Sequence, residues 1–382
     1  MTATRLPRTR PGRHAVKPSL AARTRRPWLV TVCPAPSRRT YQTARESAAG
    51  QRLHCDFRLA PIPVPRPPNV FSGPYLDRVA HLRKDEAWVA AALATDEAVI
   101  VPVWQSRSLV EVRPTGVAAA LLTAGDFEPA ERARSFVLLG CVESRTYFAV
   151  DVAEAERVLA RFPDKDVKFE DLRLVGGQLE AQEAGLLAYA RGMLYWRQRH
   201  RFCGLCGAPT VSTSAGHVMT CTNPDCATDQ FPRLDPAIIV LVTDGERALL
   251  GRQASWPEGR YSTIAGFVEP GESLEDAVAR EVLEETGVRI DAADYHSSQP
   301  WPFPSSLMIG YTATADGAQA PRADEELEDV RWFTRAEIAS GFPGLPPPQS
   351  VSYRLIEDWY DAASSMPLHQ TPGVRLWGSR RR

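Results

Sequence analysis

From Gly266 to Val288 the chain reads GFVEPGESLEDAVAREVLEETGV, and Glu281, Glu284 and Glu285 fall within one helical turn of it. Glu281 and Glu285 stand i,i+4, about 40° apart around a helix axis, with Glu284 on the adjoining flank. Like charges crowded in this way cost stability unless a cation sits among them. Hard carboxylate oxygens gathered on one face suit Mg2+ or Mn2+, ions that activate water and neutralise phosphate oxygens. A Glu-rich helix is ordinarily just a solvated face. Here Gly266, Gly271 and Gly287 bracket it with positions suited to close approach or positive φ.

A second cluster is soft. Cys203-Gly-Leu-Cys206 and Cys221-Thr-Asn-Pro-Asp-Cys226 form two knuckles fourteen residues apart. Two short cysteine pairs supply the tetrahedral S4 set that zinc prefers, and four protein ligands leave no open position for chemistry. A nucleic-acid grip would combine basic and aromatic residues, yet no Lys or Arg lies between Cys206 and Cys226. The cluster therefore reads as a structural zinc site, with His217 the one nearby substitute ligand. A third stretch, SQPWPFPSS (298–306), alternates Trp301 and Phe303 with Pro300, Pro302 and Pro304. Proline removes a donor and fixes φ, so the run is neither helix nor central strand, but a stiff, extended segment carrying two rings.

The elements that hold these groups follow from periodicity. Helices fit Leu76–Leu93, VAEAERVLARF (152–162), about Glu180–Arg199, 273–286 and about Val351–Ala362. Strands fit AVIVPVW (98–104), LVEVR (109–113), SFVLLGC (135–141), RTYFAV (145–150), AIIVLVT, RALLGRQ, YSTIA (261–265), SLMIGYTATA (306–315) and DVRWF (329–333). Asp244-Gly245 signals a hairpin. Ser273 with Asp276 is a capping-box start, and Gly287 a natural stop.

Composition sets the frame: 382 residues, 44% hydrophobic and 24% charged, allow two or three soluble domains. No apolar run reaches the ~18–20 residues of a membrane span. Residues 1–55 hold twelve basic residues against one acid, and the remainder 33 basic against 45 acidic. Such an acidic body is no nucleic-acid wrapper. The Arg/Pro-rich start reads as a disordered extension, or alternatively as an organellar transit peptide. The clustered cysteines favour metal binding over a disulfide framework in a cytoplasmic chain.

The pattern G-x5-E-x7-R-E-U-x-E-E-x-G-U, where U is bulky and apolar, is the Nudix box. Gly266, Glu272, Arg280, Glu281, Val282, Glu284, Glu285, Gly287 and Val288 match it without a gap. SQPWPFP after the box, the cysteine pairs before it, and a PPP element with a final helix resemble the NADH pyrophosphatase branch of Nudix hydrolases. The resemblance covers roughly 75–365. The second knuckle, with four residues between its cysteines, departs from a two-pair CxxC pattern.

The resemblance implies an α+β chain. Within the matched span it gives an N-terminal α+β domain (73–200), a zinc ribbon (201–232) and a catalytic α-β-α sandwich (233–365), while composition reads the unmatched ends as a disordered extension (1–72) and a tail (366–382). It implies metal-dependent cleavage of the pyrophosphate of NAD(H) to NMN(H) and AMP, and equally removal of an NAD cap from RNA. Glu281, Glu285 and Glu326 would hold Mg2+ or Mn2+, Glu284 would assist and Arg280 would orient the carboxylates; either Glu285 or another acid would be the base. Phe231 and Phe267 would sandwich a flat ring, though hairpin packing accounts for them equally well. Gln299, Pro300, Trp301, Pro302, Phe303, Pro304, Ser305 and Ser306 would line the rest of the pocket in a homodimer, with Ser352, the main chain of Ala265 and Arg173 as further contacts. Rival readings are a hydrolase of ADP-ribose or dinucleoside polyphosphates, and a non-catalytic nucleotide-sensing zinc-ribbon protein.

Overall fold

The structure, a computed structural model, describes residues 67–73, 76–127 and 136–378. The expected extension up to residue 66 and the basic end Arg380–Arg382 lie outside them. Short, largely apolar runs of two to seven residues build the first sheet from β1 (Ala98–Trp104), β2 (Arg107–Arg113), β3 (Gly116–Ala119), β4 (Leu122–Thr123), β5 (Phe136–Val142), β6 (Arg145–Asp151) and β7 (Val167–Glu170). Its order is β3-β2-β1-β6-β5, with β4 on β1, β7 on β2, and β1 parallel to β6.

Helices α1 (Glu86–Leu93), α2 (Ala155–Leu159), α3 (Leu172–Val175) and α4 (Ala181–Arg199) accompany that sheet. In α4 the apolar residues Leu186, Leu187, Ala190, Met193, Leu194 and Trp196 are all buried. The helix expected over Leu76–Leu93 is cut to α1. Asp85 caps it by accepting from Trp88 N, while Leu76 and Val79 enter the core as irregular chain, Val79 at φ 37°. The 152–162 helix likewise shrinks to α2.

The ribbon is three short strands, β8 (Thr210–Thr213), β9 (Val218–Cys221) and β10 (Asp229–Gln230), in the order β10-β9-β8. His217 is no zinc ligand here: its Nε2 lies 2.7 Å from Leu138 O on β5. Burial lowers its pKa to about 4, so the ring is neutral.

The second large sheet contains β11 (Asp235–Thr243), β12 (Arg247–Arg252), β13 (Ile264–Phe267), β14 (Ile290–Trp301), β15 (Ser306–Ala315) and β16 (Asp329–Thr334). Its order is β14-β15-β11-β12-β16, with β13 on β11 and β11 parallel to β15. Two apolar clusters cover its opposite faces. One takes Ala277, Val278 and Val282 of α5 (Leu274–Thr286). The other takes Ile338 of α6 (Arg335–Ala339) and Leu355, Ile356 and Tyr360 of α7 (Val351–Asp361). This is the expected α-β-α sandwich. Ser273 and Asp276 form the expected capping box, and Gly287 ends α5 at φ 68°.

Three boundaries need correction. SQPWPFPSS is extended only as far as Trp301; Pro302–Ser305 form a hairpin turn between β14 and β15, with Trp301 opposite Ser306. Pro300 is tolerated because β14 is an edge strand. Residues 67–73, assigned in part to the extension, are packed: Asn69 and Phe71 are buried, and Asn69 Nδ2 donates to Ser297 Oγ and Ser298 O, both at 2.9 Å. The tail is packed as far as Trp377, because Leu368 is fully buried, Leu376 bridges Leu345 and Trp377 N donates to Leu345 O.

Candidate active site

Helix α5 presents its carboxylates at a junction between two cavities. One, of about 450 Å3, is lined by Glu285, Arg173, Gln299 and Ser352. The other, of about 590 Å3, is lined by Glu281, Glu284, Glu326, Arg280, Phe267, Phe303 and Ser306. Ala265, Trp301 and Met308 line both. Phe231, Pro300, Pro302, Pro304 and Ser305 line neither. Phe231 is 65% exposed, as Phe267 is at 59%. Ser305 instead donates from Oγ to Asp235 Oδ2 at 2.8 Å.

Arg280 organises the carboxylates. Its Nε and Nη2 donate to the two oxygens of Glu272 at 2.5 and 2.9 Å, and Nη2 also reaches Phe267 O. Nη1 reaches Glu284 Oε2 at 3.0 Å and Glu281 Oε1 at 2.9 Å. The bidentate grip holds the Glu272 carboxyl down at about 2. Glu285 is only 6% exposed. Burial first, then the charges of Glu281, Glu326, Asp324 and Glu284, push its pKa up to about 8. Burial also raises Glu281.

An excess of oxygen donors that repel one another's charge is the donor chemistry of a hard divalent cation, so the set fits Mg2+ or Mn2+. Its atoms stand further apart than those of a closed site. Among the described residues, three or more such ligand atoms come within 4.8 Å of one another only at the cysteine cluster and at Glu357–Asp361–His369. The cysteines fit zinc closely: Cys203 Sγ–Cys226 Sγ is 3.8 Å and Cys206 Sγ–Cys221 Sγ 3.4 Å, near the edge of about 3.8 Å of a tetrahedron with 2.3 Å bonds.

Gly266 is fixed by contact. A Cβ there would strike the Glu281 carboxyl group, the free end of a flexible side chain, so Gly266→Ala displaces the carboxylate rather than the backbone. The expected result is a Tm within a few degrees of wild type and a kcat/KM at least ~10-fold lower, read by steady-state kinetics beside a thermal melt.

Two expected contacts are held by other bonds. Gln299 is fully buried; its Nε2 donates to Val70 O and Gln349 O, and its Oε1 accepts from Val351 N. Ser352 Oγ accepts from Thr263 N and Oγ1 and lies 2.9 Å from Ser262 Oγ. Trp301 and Phe303 pack edge-to-face with Phe71, the guanidinium of Arg191 lying 4.7 Å from the Phe303 ring centroid. Sequence reasoning missed Trp256 and Trp377, which also line the Glu285 cavity. The two-residue alternation of Val374, Leu376 and the neighbouring Arg375, Trp377 was the available signal.

Known families divide the chain in the same way. The profile of the NUDIX domain matches residues 233–356, that of the NADH pyrophosphatase-like rudimentary NUDIX domain 97–196, and that of the NADH pyrophosphatase zinc ribbon domain 198–231. NAD-capped RNA hydrolase NudC of Mycobacterium bovis is 36% identical over 321 residues, 80% of this chain and 96% of that one. The chain belongs to the Nudix family, in its NADH pyrophosphatase branch. NAD-capped RNA hydrolase NUDT12 of Homo sapiens is 41% identical over 197 residues, so this Nudix chain spans 43% of that relative's length. NAD(P)H pyrophosphatase NUDT13, mitochondrial, of Homo sapiens is 36% identical over 269 residues, 63% of this chain and 76% of that one.

Proposed function

We propose that this Nudix chain hydrolyses the pyrophosphate of NAD(H) to NMN(H) and AMP, and that an NAD cap on an RNA 5′ end is a second form of the same substrate. The observation that carries the reading is the junction: the box carboxylates stand where two cavities meet, each of a size suited to one half of a dinucleotide. The names of the relatives support the substrate class. Glu281, Glu285 and Glu326 would hold Mg2+ or Mn2+, which when bound offsets diphosphate charge and activates water. Arg280 fixes Glu281 and Glu284, and Gly266 leaves Glu281 room to face the cavity. The same reading assigns 73–200, 201–232 and 233–365 as N-terminal, ribbon and catalytic domains.

We further propose a homodimer, because Phe202, Leu205, Phe231, Leu234 and Phe267 leave large apolar surface exposed around the ribbon. A cytoplasmic setting suits cysteines that are free among the described residues. No helix among those residues is long and apolar enough to cross a membrane.

The test is a product assay with Mn2+ across NAD+, NADH, ADP-ribose and NAD-capped RNA, with light scattering for mass. NMNH and AMP from NADH at the highest kcat/KM are expected; a clear preference for ADP-ribose sinks the reading.

A further inference from the structure

The Glu285 cavity is completed by chain beyond the matched NUDIX domain, which ends at 356. After α7 the chain returns through the buried Leu368 and pairs with Leu345 through Leu376. Leu345 N donates to Arg375 O and Trp377 N to Leu345 O, both at 2.8 Å, while Trp377 Nε1 donates to Gly344 O at 2.9 Å. Gly344 in turn joins the loop that carries Trp256: Gly344 N donates to Gly259 O and Tyr261 N to Gly344 O. One short ladder therefore fixes both tryptophans.

Neighbouring extended residues point to opposite sides. Val374 and Leu376 pack on the core beneath α7, which turns Trp377 towards the cavity it lines. Its ring centroid is 4.9 Å from that of Trp256 at 58°, both rings remain part-exposed, and Arg260 Cζ lies 5.9 Å from the Trp377 ring centroid. The pair is an aromatic wall with a cation at its edge, beside the carboxylates.

We propose that this C-terminal strap is part of the substrate site, and that Trp377 with Trp256 receives a planar heteroaromatic ring of the diphosphate substrate. The inference rests on the hydrolase reading for the identity of the substrate, but not for the binding of a ring. Indole faces stack on any such base, so the adenine and the nicotinamide half share the chemistry, and the wall sets which half is gripped on the Glu285 side.

The experiment uses the full chain and its W377A, W377F and W256A variants. Calorimetric titration measures AMP and NMN binding without turnover, and kinetics on NADH and ADP-ribose give kcat and KM separately. W377A is expected to weaken one mononucleotide by about 10- to 100-fold and to raise the KM for NADH in parallel, with kcat within threefold; W377F restores most of it. Loss of AMP identifies the adenine, and loss of NMN the nicotinamide. Should W377A fail to fold, W256A carries the same expectation. If the wild type binds neither mononucleotide, or a folded variant binds both within threefold of wild type, the proposal falls. If ring binding is lost as expected but the wild type cleaves no diphosphate, the hydrolase reading falls and the wall stands.

Discussion

Glu285→Gln is expected to lower NADH hydrolysis by about 10^2- to 10^4-fold and, in buffer free of added Mg2+ and Mn2+, to make the protein more stable at pH 8. Both effects come from one carboxyl group. Burial and the facing acids Glu281 and Glu326 raise Glu285 to about 8, well above the ordinary glutamate value of about 4.3. A carboxyl raised in this way stabilises the fold while protonated. That contribution is complete below about pH 4 and is lost as pH climbs towards 8, at no more than about 1.4 kcal/mol per pH unit. Glu281 adds to the same slope. Glu272, held at about 2, acts in the opposite sense, and its contribution disappears only as pH falls below 4. Glutamine keeps the shape and carries no titration. Thermal melts at pH 5, 6.5 and 8 should show the wild type falling relative to Glu285→Gln, and added Mn2+ should raise the wild type alone. Parallel melting curves, or unchanged turnover in the variant, would falsify the assignment of Glu285 to both roles.

What sequence could read and what it could not divide along physical lines. The box helix was legible because two codes agree there: Leu274, Val278 and Val282 recur at helical spacing, and Ser273 with Asp276 marks the start. SLMIGYTATA was legible as β15 because it is rich in apolar, aromatic and β-branched residues and contains no proline, which outweighs its one glycine, Gly310. The edge strand β14 was not, since Pro300 and a register shift near His296 disguise its two-residue period. The packed tail was hidden by Pro367, Pro372 and Gly373, which make four alternating residues look like a frayed end. Buried bonding is harder still. Nothing local to Gln299 announces that its amide serves Val70, 229 residues away, and Gln349, 50 away. The same limit applies to the site: spacing placed Glu281, Glu284 and Glu285 on one helix, whereas Glu326 entered only through resemblance. Its place beside them depends on the fold bringing the turn before β16 over α5.

Removing zinc should produce the second large effect, and it should be local. The ribbon has strands of four, four and two residues, too little apolar burial to offset the entropy of ordering some thirty residues. The four thiolates supply what the core lacks, each close sulfur pair joining one knuckle to the other. Structural zinc in such small units contributes on the order of 10 kcal/mol of folding free energy. Cys221→Ser, or a chelator strong enough to strip zinc, should therefore abolish amide-exchange protection across β8 and β9. Helix α5 should stay protected, because Ala277, Val278 and Val282 belong to a separate core. The damage should reach the N-terminal domain through two contacts: on β5, Leu138 O would lose His217, and on α4, Met219 would be withdrawn from the cluster it shares with Trp196 and Leu194. A zinc-free protein that keeps full protection at Val218–Cys221 would show that the ribbon is held by packing, and the cysteines would then need another role.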